Sequence, residues 1–338
     1  MNLSASSLLA GKGKRGIWQK WNNWRNKNQL RYAPYLFISP FYILFLIFGL
    51  FPILFSLFLS FHSWRAVGGL STMEWVGLKN FKFLLSDPWF WGSLWNTFIL
   101  LIISGLPQHI IALPLAFILN SRLPRQLKQF LSASYFFPYI TSTVAIALIF
   151  STIFGLRYGI LNQLLEFLAD SSFTSWAFGW LDNSLPINWL GKAVYIKPAI
   201  AIVVVWHWFG WNTILYLSGL QVISDDLYEA ARVDGATSWH EFWYISLPLL
   251  KPIIFFAVTM TIIGNMQLFD EPFILTGGTG GVGRSGMTVA IYLYRTAFNW
   301  TQMGVAAAMS WLLFLIIIIF TLINYAVLRK GVLERRGE

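Results

Sequence analysis

Six apolar stretches, each about as long as the hydrocarbon core of a bilayer is thick, dominate this sequence. A helix needs roughly 20 consecutive apolar residues to cross that core. The chain is 57% hydrophobic and 11% charged, with a mean hydropathy of +0.60, unlike a soluble globular protein. The sequence therefore predicts an all-α, polytopic membrane protein with six transmembrane helices. The predicted spans are Tyr35–Phe61, Trp95–Leu119, Gln129–Phe154, Pro198–Leu220, Leu250–Asp270 and Met303–Leu328.

Basic residues lie mainly on one side of these spans. Six spans place both termini on the same side, together with the loop at 120–128 and the connection between the fourth and fifth spans. These segments carry 16 of the 24 lysine and arginine residues, and the opposite loops carry eight. Since cytoplasmic loops are enriched in lysine and arginine, both termini are predicted to be cytoplasmic. The same distribution explains the net charge of +10 without nucleic acid as a partner.

Both ends of the chain are polar. Residues 1–34 carry seven basic and no acidic residues, and Trp18, Trp21 and Trp24 recur every third position. This pattern predicts a cytoplasmic segment that lies as an amphipathic helix on membrane lipid, with a basic tail that has no fixed structure as the alternative. Residues 35–330 are predicted to form the transmembrane domain, and residues 331–338 a short cytoplasmic tail.

The strongest polar interruption, at residues 226–248, is called the EAA segment below. Asp226 with Glu229, and Ser238 with Glu241, have the spacing of an N-terminal capping box. The segment is therefore predicted to form two short helices. A helix-turn-helix that connects two membrane spans has little of its own chain to contact, so we expect it to bind a partner.

Two further residues fit this helix-turn-helix. Gly235, after Asp234, suits a turn that needs a positive φ. Pro248 suits the first turn of the following long helix, where the missing N–H leaves no hydrogen bond unmade.

The spacing of this segment resembles the EAA loop of bacterial ABC importer permeases. The matching positions are Glu229-Ala230-Ala231, Gly235, Ile245 and Leu247-Pro248. The resemblance implies a permease subunit of a type I, binding-protein-dependent importer of the carbohydrate (maltose-type) class, in a bacterial cytoplasmic (inner) membrane. It also implies that the segment is a coupling helix that docks on an ATPase. The coupling residues would be Glu229, Ala230, Ala231, Asp234, Gly235 and Ala236.

The resemblance further implies the partners of the chain. These are a second permease subunit, expected to be a different chain, two ATPase subunits and an extracytoplasmic solute-binding protein. ATP and Mg²⁺ would be bound by the ATPase subunits, so no cofactor and no enzymatic activity are expected in this chain. Three alternatives stay open: an importer of the same class for a polyol, a glycerol-phosphate or a compatible solute; an ion-coupled secondary carrier; and a scaffold or channel without an ATPase.

The fourth and fifth spans carry side chains suited to a sugar. Indole rings stack on the apolar C–H faces of sugars, while amide and hydroxyl groups bind their hydroxyls. Thr261 and Asn265 are four residues apart and share a helix face, whereas Gln267 is predicted to lie off that face. The alternative is aromatic packing with helix–helix hydrogen bonds. The predicted substrate-binding residues are Trp208, Trp211, Asn212, Thr261, Asn265 and Gln267, and four of these (Trp208, Trp211, Thr261 and Asn265) fall where maltose-type permeases contact sugar.

Other polar features give weaker signals. Gly278–Ser285 comes close to a phosphate-binding loop, but Arg284 replaces the required lysine and the loop is predicted on the outer side. A glycine turn is predicted there instead. The Gln108-His109 pair within the second span predicts helix–helix hydrogen bonds. The four histidines have no metal-ligand spacing, so neither a metal site nor a catalytic set is predicted.

The outer segment at 155–197 is long, with an apolar patch at Ile160–Leu168 that predicts a short interfacial helix. Outward loops of this kind receive a binding protein in the family that the sequence resembles. A lid packed on the helix ends is the alternative.

Overall fold

The computed structural model describes residues 32–121, 124–170 and 185–333, and it divides the chain into two compact units, Met1–Leu59 and Ser60–Glu338. Most of the N-terminal segment predicted at 1–34, and most of the tail at 331–338, lie outside the described residues. In the first unit, helix α1 (Tyr32–Ser60) contains a π-helical stretch at Phe45–Leu50. Most of its side chains are exposed, as suits a helix surrounded by lipid.

The second unit is almost entirely helical. A two-stranded antiparallel pair, β1 with β2, pairs His62 with Trp75 before the first of its helices. The elements are β1 (His62–Ser63), β2 (Glu74–Trp75), α2 (Lys79–Ser86), α3 (Pro88–Asn120), α4 (Arg125–Ile140), α5 (Thr143–Ile153), α6 (Ile160–Asp170), α7 (Ala193–Leu220), α8 (Asp225–Val233), α9 (Ser238–His240), α10 (Leu247–Leu249), α11 (Lys251–Met266), α12 (Asp270–Leu275), α13 (Val289–Tyr294) and α14 (Met303–Leu333). Helix α6 confirms the short helix predicted at Ile160–Leu168.

Five helical segments in the described residues are long and apolar enough to cross a membrane, and a bent pair brings the number to six. These confirm the predicted spans, with one correction. The predicted third span, Gln129–Phe154, is two helices, α4 and α5, bent by 98°. Thr141 and Ser142 between them have extended backbone, and the Thr141 hydroxyl donates to the Phe137 carbonyl. That bond satisfies a carbonyl left free where α4 ends.

Three long helices of the second unit have defined directions. Helices α3 and α7 run parallel, since Leu100 clusters with Val203 and, further along both helices, Ala116 clusters with Leu220; between these contacts Gln108 is bonded to Asn212 and His109 to Tyr216. Helix α11 runs the opposite way, because Ile253 near its start lies beside Gly219 at the end of α7, whereas Asn265 near its end contacts Ser104 of α3. The alternation follows from a chain that crosses a membrane repeatedly. The interpretation of Gln108-His109 as helix–helix bonding is thereby confirmed.

These directions define two ends of the bundle. The EAA segment lies at the end where α3 and α7 finish, which we call the EAA end. At the other end, residues 276–287 form the glycine loop, next to the start of α3. Glycines 277, 278, 280, 281 and 283 all have positive φ, which confirms the predicted glycine turn.

Candidate functional site

A cavity of about 410 Å³ lies among α3, α7, α11 and the bend between α4 and α5. A drug-sized or small oligosaccharide ligand needs a cavity of this order. The six residues predicted to bind substrate all line it, although they come from two helices about 50 residues apart. They are Trp208, Trp211, Asn212, Thr261, Asn265 and Gln267.

One wall of the cavity is aromatic. Tyr139, near the end of α4, stacks on Trp211 with ring centroids 4.9 Å apart and planes 22° apart, and it meets the Trp208 ring edge-on at 5.7 Å. Helix α4 reaches α7 because Gly210 has no side chain: a Cβ there would lie 1.9 Å from the Tyr135 carbonyl oxygen. Tyr139 was not predicted, because nothing in the sequence spacing places α4 beside α7.

Amide groups line the cavity as well. Asn212 donates to the Gln108 side-chain oxygen at 3.1 Å, and Asn265 donates to the Ser104 hydroxyl at 3.0 Å. These bonds join helices, as the alternative interpretation of the two asparagines predicts. Yet the buried Nε2 of Gln108 has no hydrogen-bond partner within the described part of the chain. Buried amide groups are normally satisfied, so this donor is an exception in the contact between α3 and α7.

Gln267, predicted to lie off the helix face of Thr261 and Asn265, nevertheless lines the same cavity. Helix α11 ends at Met266, and Gln267 leaves helical geometry with φ −103° and ψ 13°. Beyond the last helical residue the 3.6-residue periodicity no longer applies. Gln267 therefore turns into the same cavity, where its side chain is exposed.

A buried polar pair, whose Glu271 lines the cavity, joins α7 to α12. His207 Nδ1 of α7 lies 3.2 Å from Glu271 Oε1 of α12, and both side chains are buried. Ionisable residues at such depth are rare and are usually paired. This pair was missed, since a histidine and a glutamate 64 positions apart give no spacing signal, but each lies in or beside an apolar span and could have been noted on that ground.

The EAA segment forms two short helices around a turn, as predicted. Gly235 has φ +86° at the break, which confirms the turn. The predicted caps, however, are displaced. The N-cap of α8 is Ser224, which accepts from the Asp226 N–H, rather than Asp226. The N-cap of α9 is Thr237, paired with His240, rather than Ser238 paired with Glu241.

Glu241 is absent from the cap because it is buried in an ion pair. Arg232 of α8 donates to both carboxylate oxygens of Glu241, at 2.6 and 3.2 Å. This hydrogen bonding raises the pKa of Arg232, so the guanidinium stays charged. Tyr228 is bonded to Ser246 at 2.9 Å, and burial raises the pKa of the Tyr228 phenol. The two contacts fasten α8 to the chain that follows the turn.

The prediction that Pro248 lies in the first turn of the long helix is wrong. It belongs to the short helix α10, and Pro252 takes that position in α11. A π-helical stretch, Glu241–Ser246, adds a residue per turn before α10 and shifts the register.

The tip of the EAA segment is largely exposed. Four of the six predicted coupling residues, Glu229, Ala230, Asp234 and Gly235, are exposed, and Ala231 and Ala236 are half-buried. Beside them, Val233 is 88% exposed and Trp239 68%. Large exposed apolar side chains next to one another mark interaction surfaces.

Comparison with known proteins decides the family. The family model described as "binding-protein-dependent transport system inner membrane component" matches residues 112–332, well over half of the chain. The chain belongs to this family. As a binding-protein-dependent ABC permease it is a multi-pass inner-membrane protein, a transport subunit rather than the ATPase, and it is expected to hold no cofactor. The ion-coupled carrier considered above is thereby set aside.

Curated relatives align with this permease over nearly their whole length. It is 34% identical to the probable ABC transporter permease YurN of Bacillus subtilis, over 90% of the chain and 98% of the relative. It is 34% identical to the lactose transport system permease LacF of Rhizobium radiobacter, over 88% and 94%. It is 32% identical to the trehalose/maltose transport system permease MalF of Thermococcus litoralis, over 89% and 96%.

Among solved structures, the permease resembles a chain of a bacterial ABC transporter involved in the import of the acidic polysaccharide alginate. The TM-score is 0.70 at 21% identity, and the match covers 90% of this chain and 98% of the other. A second structure of the alginate transporter, in complex with an alginate pentasaccharide-bound periplasmic protein, matches with the same TM-score. At this identity the similarity supports the fold.

Proposed function

We propose that this permease translocates a sugar or oligosaccharide that an extracytoplasmic binding protein delivers. The relatives described above as lactose and trehalose/maltose permeases, with another described as an arabinooligosaccharide permease at 34% identity, support a carbohydrate. The cavity carries the proposal: stacked aromatic rings and amide groups line the same space, the combination that sugars require.

In this cavity Trp211, backed by the Tyr139 ring, offers a flat apolar face for a pyranose. The amides of Asn265 and Gln267 and the Thr261 hydroxyl line the same cavity and would bind the sugar hydroxyls. Because several donors and acceptors converge beside a ring, the cavity would favour a polyhydroxylated ligand over an apolar one.

The EAA segment would couple this cavity to ATP hydrolysis. We place it on the cytoplasmic side, with both termini, on the basis of the charge distribution. Its exposed tip would dock on one of two ATPase subunits, and a second permease subunit would complete the path. When the ATPases close, each docked segment would be drawn along with them, and the Arg232–Glu241 ion pair would pass that motion to α11.

The test is uptake by the reconstituted transporter. Trp211→Ala and Gln267→Ala should each lower ATP-dependent sugar uptake roughly tenfold, the factor that 1.4 kcal/mol of lost binding gives. Asn265→Ala should do so too, although it also removes the bond to Ser104. Trp206→Ala is the matched control, since this indole is outside the cavity and contacts Phe150.

Assembly with the partner subunits, measured by co-purification, should be unchanged in these variants. Wild-type uptake in both Trp211→Ala and Gln267→Ala would contradict the site. A transporter that takes up polyols or compatible solutes but no sugar would contradict the substrate class.

A further inference from the structure

The glycine loop holds one arginine in a strained and fixed position. Arg284 has φ +59°, a left-handed conformation that few residues other than glycine adopt. Its guanidinium lies over the Trp89 ring, 3.6 Å from the centroid. Asn96 of α3 donates to the Arg284 carbonyl at 2.9 Å and to the Met287 carbonyl at 3.1 Å. Strain of this kind persists where the surroundings impose it, often at functional sites.

A second cation faces the same space. Lys197, half-buried in α7, lines a cavity of about 380 Å³ together with Trp89, Trp95, Asn96 and Arg284. No acidic residue lines this cavity within the described part of the chain. The neighbouring Asp87 accepts hydrogen bonds from the Trp89 N–H and from the Tyr292 hydroxyl instead of pairing with either cation.

Neither Lys197 nor Arg284 forms an ion pair within the described residues. An arginine that is pre-oriented by stacking loses little conformational freedom when it binds an oxyanion. Its planar donors suit a carboxylate in particular.

We propose that this two-cation cavity receives an acidic side chain of the solute-binding protein when that protein docks on the permease. The inference rests on the proposed function, which places the EAA end on the cytoplasmic side and therefore the glycine-loop end on the extracytoplasmic side. Charge complementarity favours a carboxylate. A lipid phosphate needs no fixed partner, because flexible cations at a membrane surface can reach it, whereas here a strained loop and an asparagine hold the arginine in place.

The experiment measures docking on the whole transporter in nanodiscs. The probe is the solute-binding protein that supports uptake by the wild-type assembly, loaded with its solute. Arg284→Gly removes the cation and suits the positive φ, so it should not disturb folding. Lys197→Gln removes the second cation. Lys192→Gln is the matched control, because Lys192 precedes α7 at the same end and is exposed outside the cavity.

We expect the Arg284→Gly, Lys197→Gln double variant to bind the loaded protein at least about tenfold more weakly, as the loss of a charged hydrogen bond predicts. Its affinity should also depend less steeply on salt, and ATPase activity at saturating binding protein should stay at the wild-type level. Lys192→Gln should behave as wild type, and Arg284→Lys should recover part of the affinity.

Three results would overturn the inference. One is an unchanged affinity and salt dependence in the double variant. Another is an equal loss in Lys192→Gln. The third is a loss seen only in nanodiscs that contain anionic lipid, which would make lipid the occupant. The proposed function fails separately, if no binding protein supports ATP-dependent uptake by the wild-type transporter.

Discussion

The contact between α4 and α7 at Gly210 allows a prediction with a calculable size. A Cβ at this position would lie 1.9 Å from the Tyr135 carbonyl oxygen and 2.9 Å from its carbon. Nonbonded carbon and oxygen atoms approach no closer than about 3.3 Å, so Gly210→Ala requires α4 to move by about 1.4 Å. Backbone atoms cannot rotate away as a side chain can. Overpacking of this kind costs about 1–3 kcal/mol.

The same displacement would reach the cavity. Tyr139 lies one turn beyond Tyr135 on α4, so its ring would separate from Trp211. We expect Gly210→Ala to lower the apparent Tm of the purified assembly by about 2–6 °C, and to weaken sugar uptake. Differential scanning fluorimetry and uptake in proteoliposomes measure the two effects.

Gly264→Ala is the control for this prediction. Gly264 also lines the cavity and lies inside a helix, but a Cβ there would meet no atom within 4 Å. Since alanine favours a helix by about 0.5–1 kcal/mol over glycine, this variant should be as stable as wild type or more so. A Gly210→Ala protein with the wild-type Tm, or a Gly264→Ala protein that is equally destabilised, would refute the steric argument.

Three further variants test other contacts. Gly235→Ala should lower the free energy of unfolding by about 1 kcal/mol, because alanine resists φ +86°, and it should reduce uptake per ATP hydrolysed. Gly235→Asn should have a smaller effect, and equal effects of the two variants would contradict the backbone explanation. Glu241→Ala should uncouple more than Glu241→Gln, which can still accept from Arg232, and the ratio of uptake to ATP hydrolysis compares them. Tyr292→Phe loses the bond to Asp87 and should be destabilised by about 1.5–3 kcal/mol. Burial, and then Asp87, raise the pKa of Tyr292. The hydroxyl therefore contributes fully to the free energy of unfolding below about pH 10, and its contribution falls above that pH. A Tyr292→Phe protein that loses as much Tm above that pH as the wild type would contradict this assignment.

Much of the fold was predictable, because membrane spans depend on local composition. The bend at residues 141–142 was not. Proline gave no guide, since Pro107 and Pro114 lie within the unbroken α3, whereas the chain breaks three residues after Pro138. Helix caps were misplaced by one or two residues because neighbouring side chains are equally able to cap. At α9, Glu241 does not take part in the cap because it forms a buried ion pair with Arg232.

Only part of the cavity was predictable, again because the sequence shows local patterns but not the packing between helices. Residue types along α7 and α11 indicated the six lining positions. Their partners Gln108 and Tyr139 come from other helices, and only the packing of the chain brings them within reach. The tyrosine has an ordinary sequence context, and the glycine that admits it, Gly210, has no local signal of its role.

The bend between α4 and α5 gives the cavity one side that differs mechanically from the rest. The walls built from α3 and α7 are continuous helices, so moving part of either would break several backbone bonds. At Thr141 and Ser142 the backbone already departs from helical geometry. Rotation about the few torsion angles of these two residues would carry Tyr139 toward or away from Thr143 while every long helix stays intact. Opening and shutting the chamber on this side thus needs no melting of secondary structure.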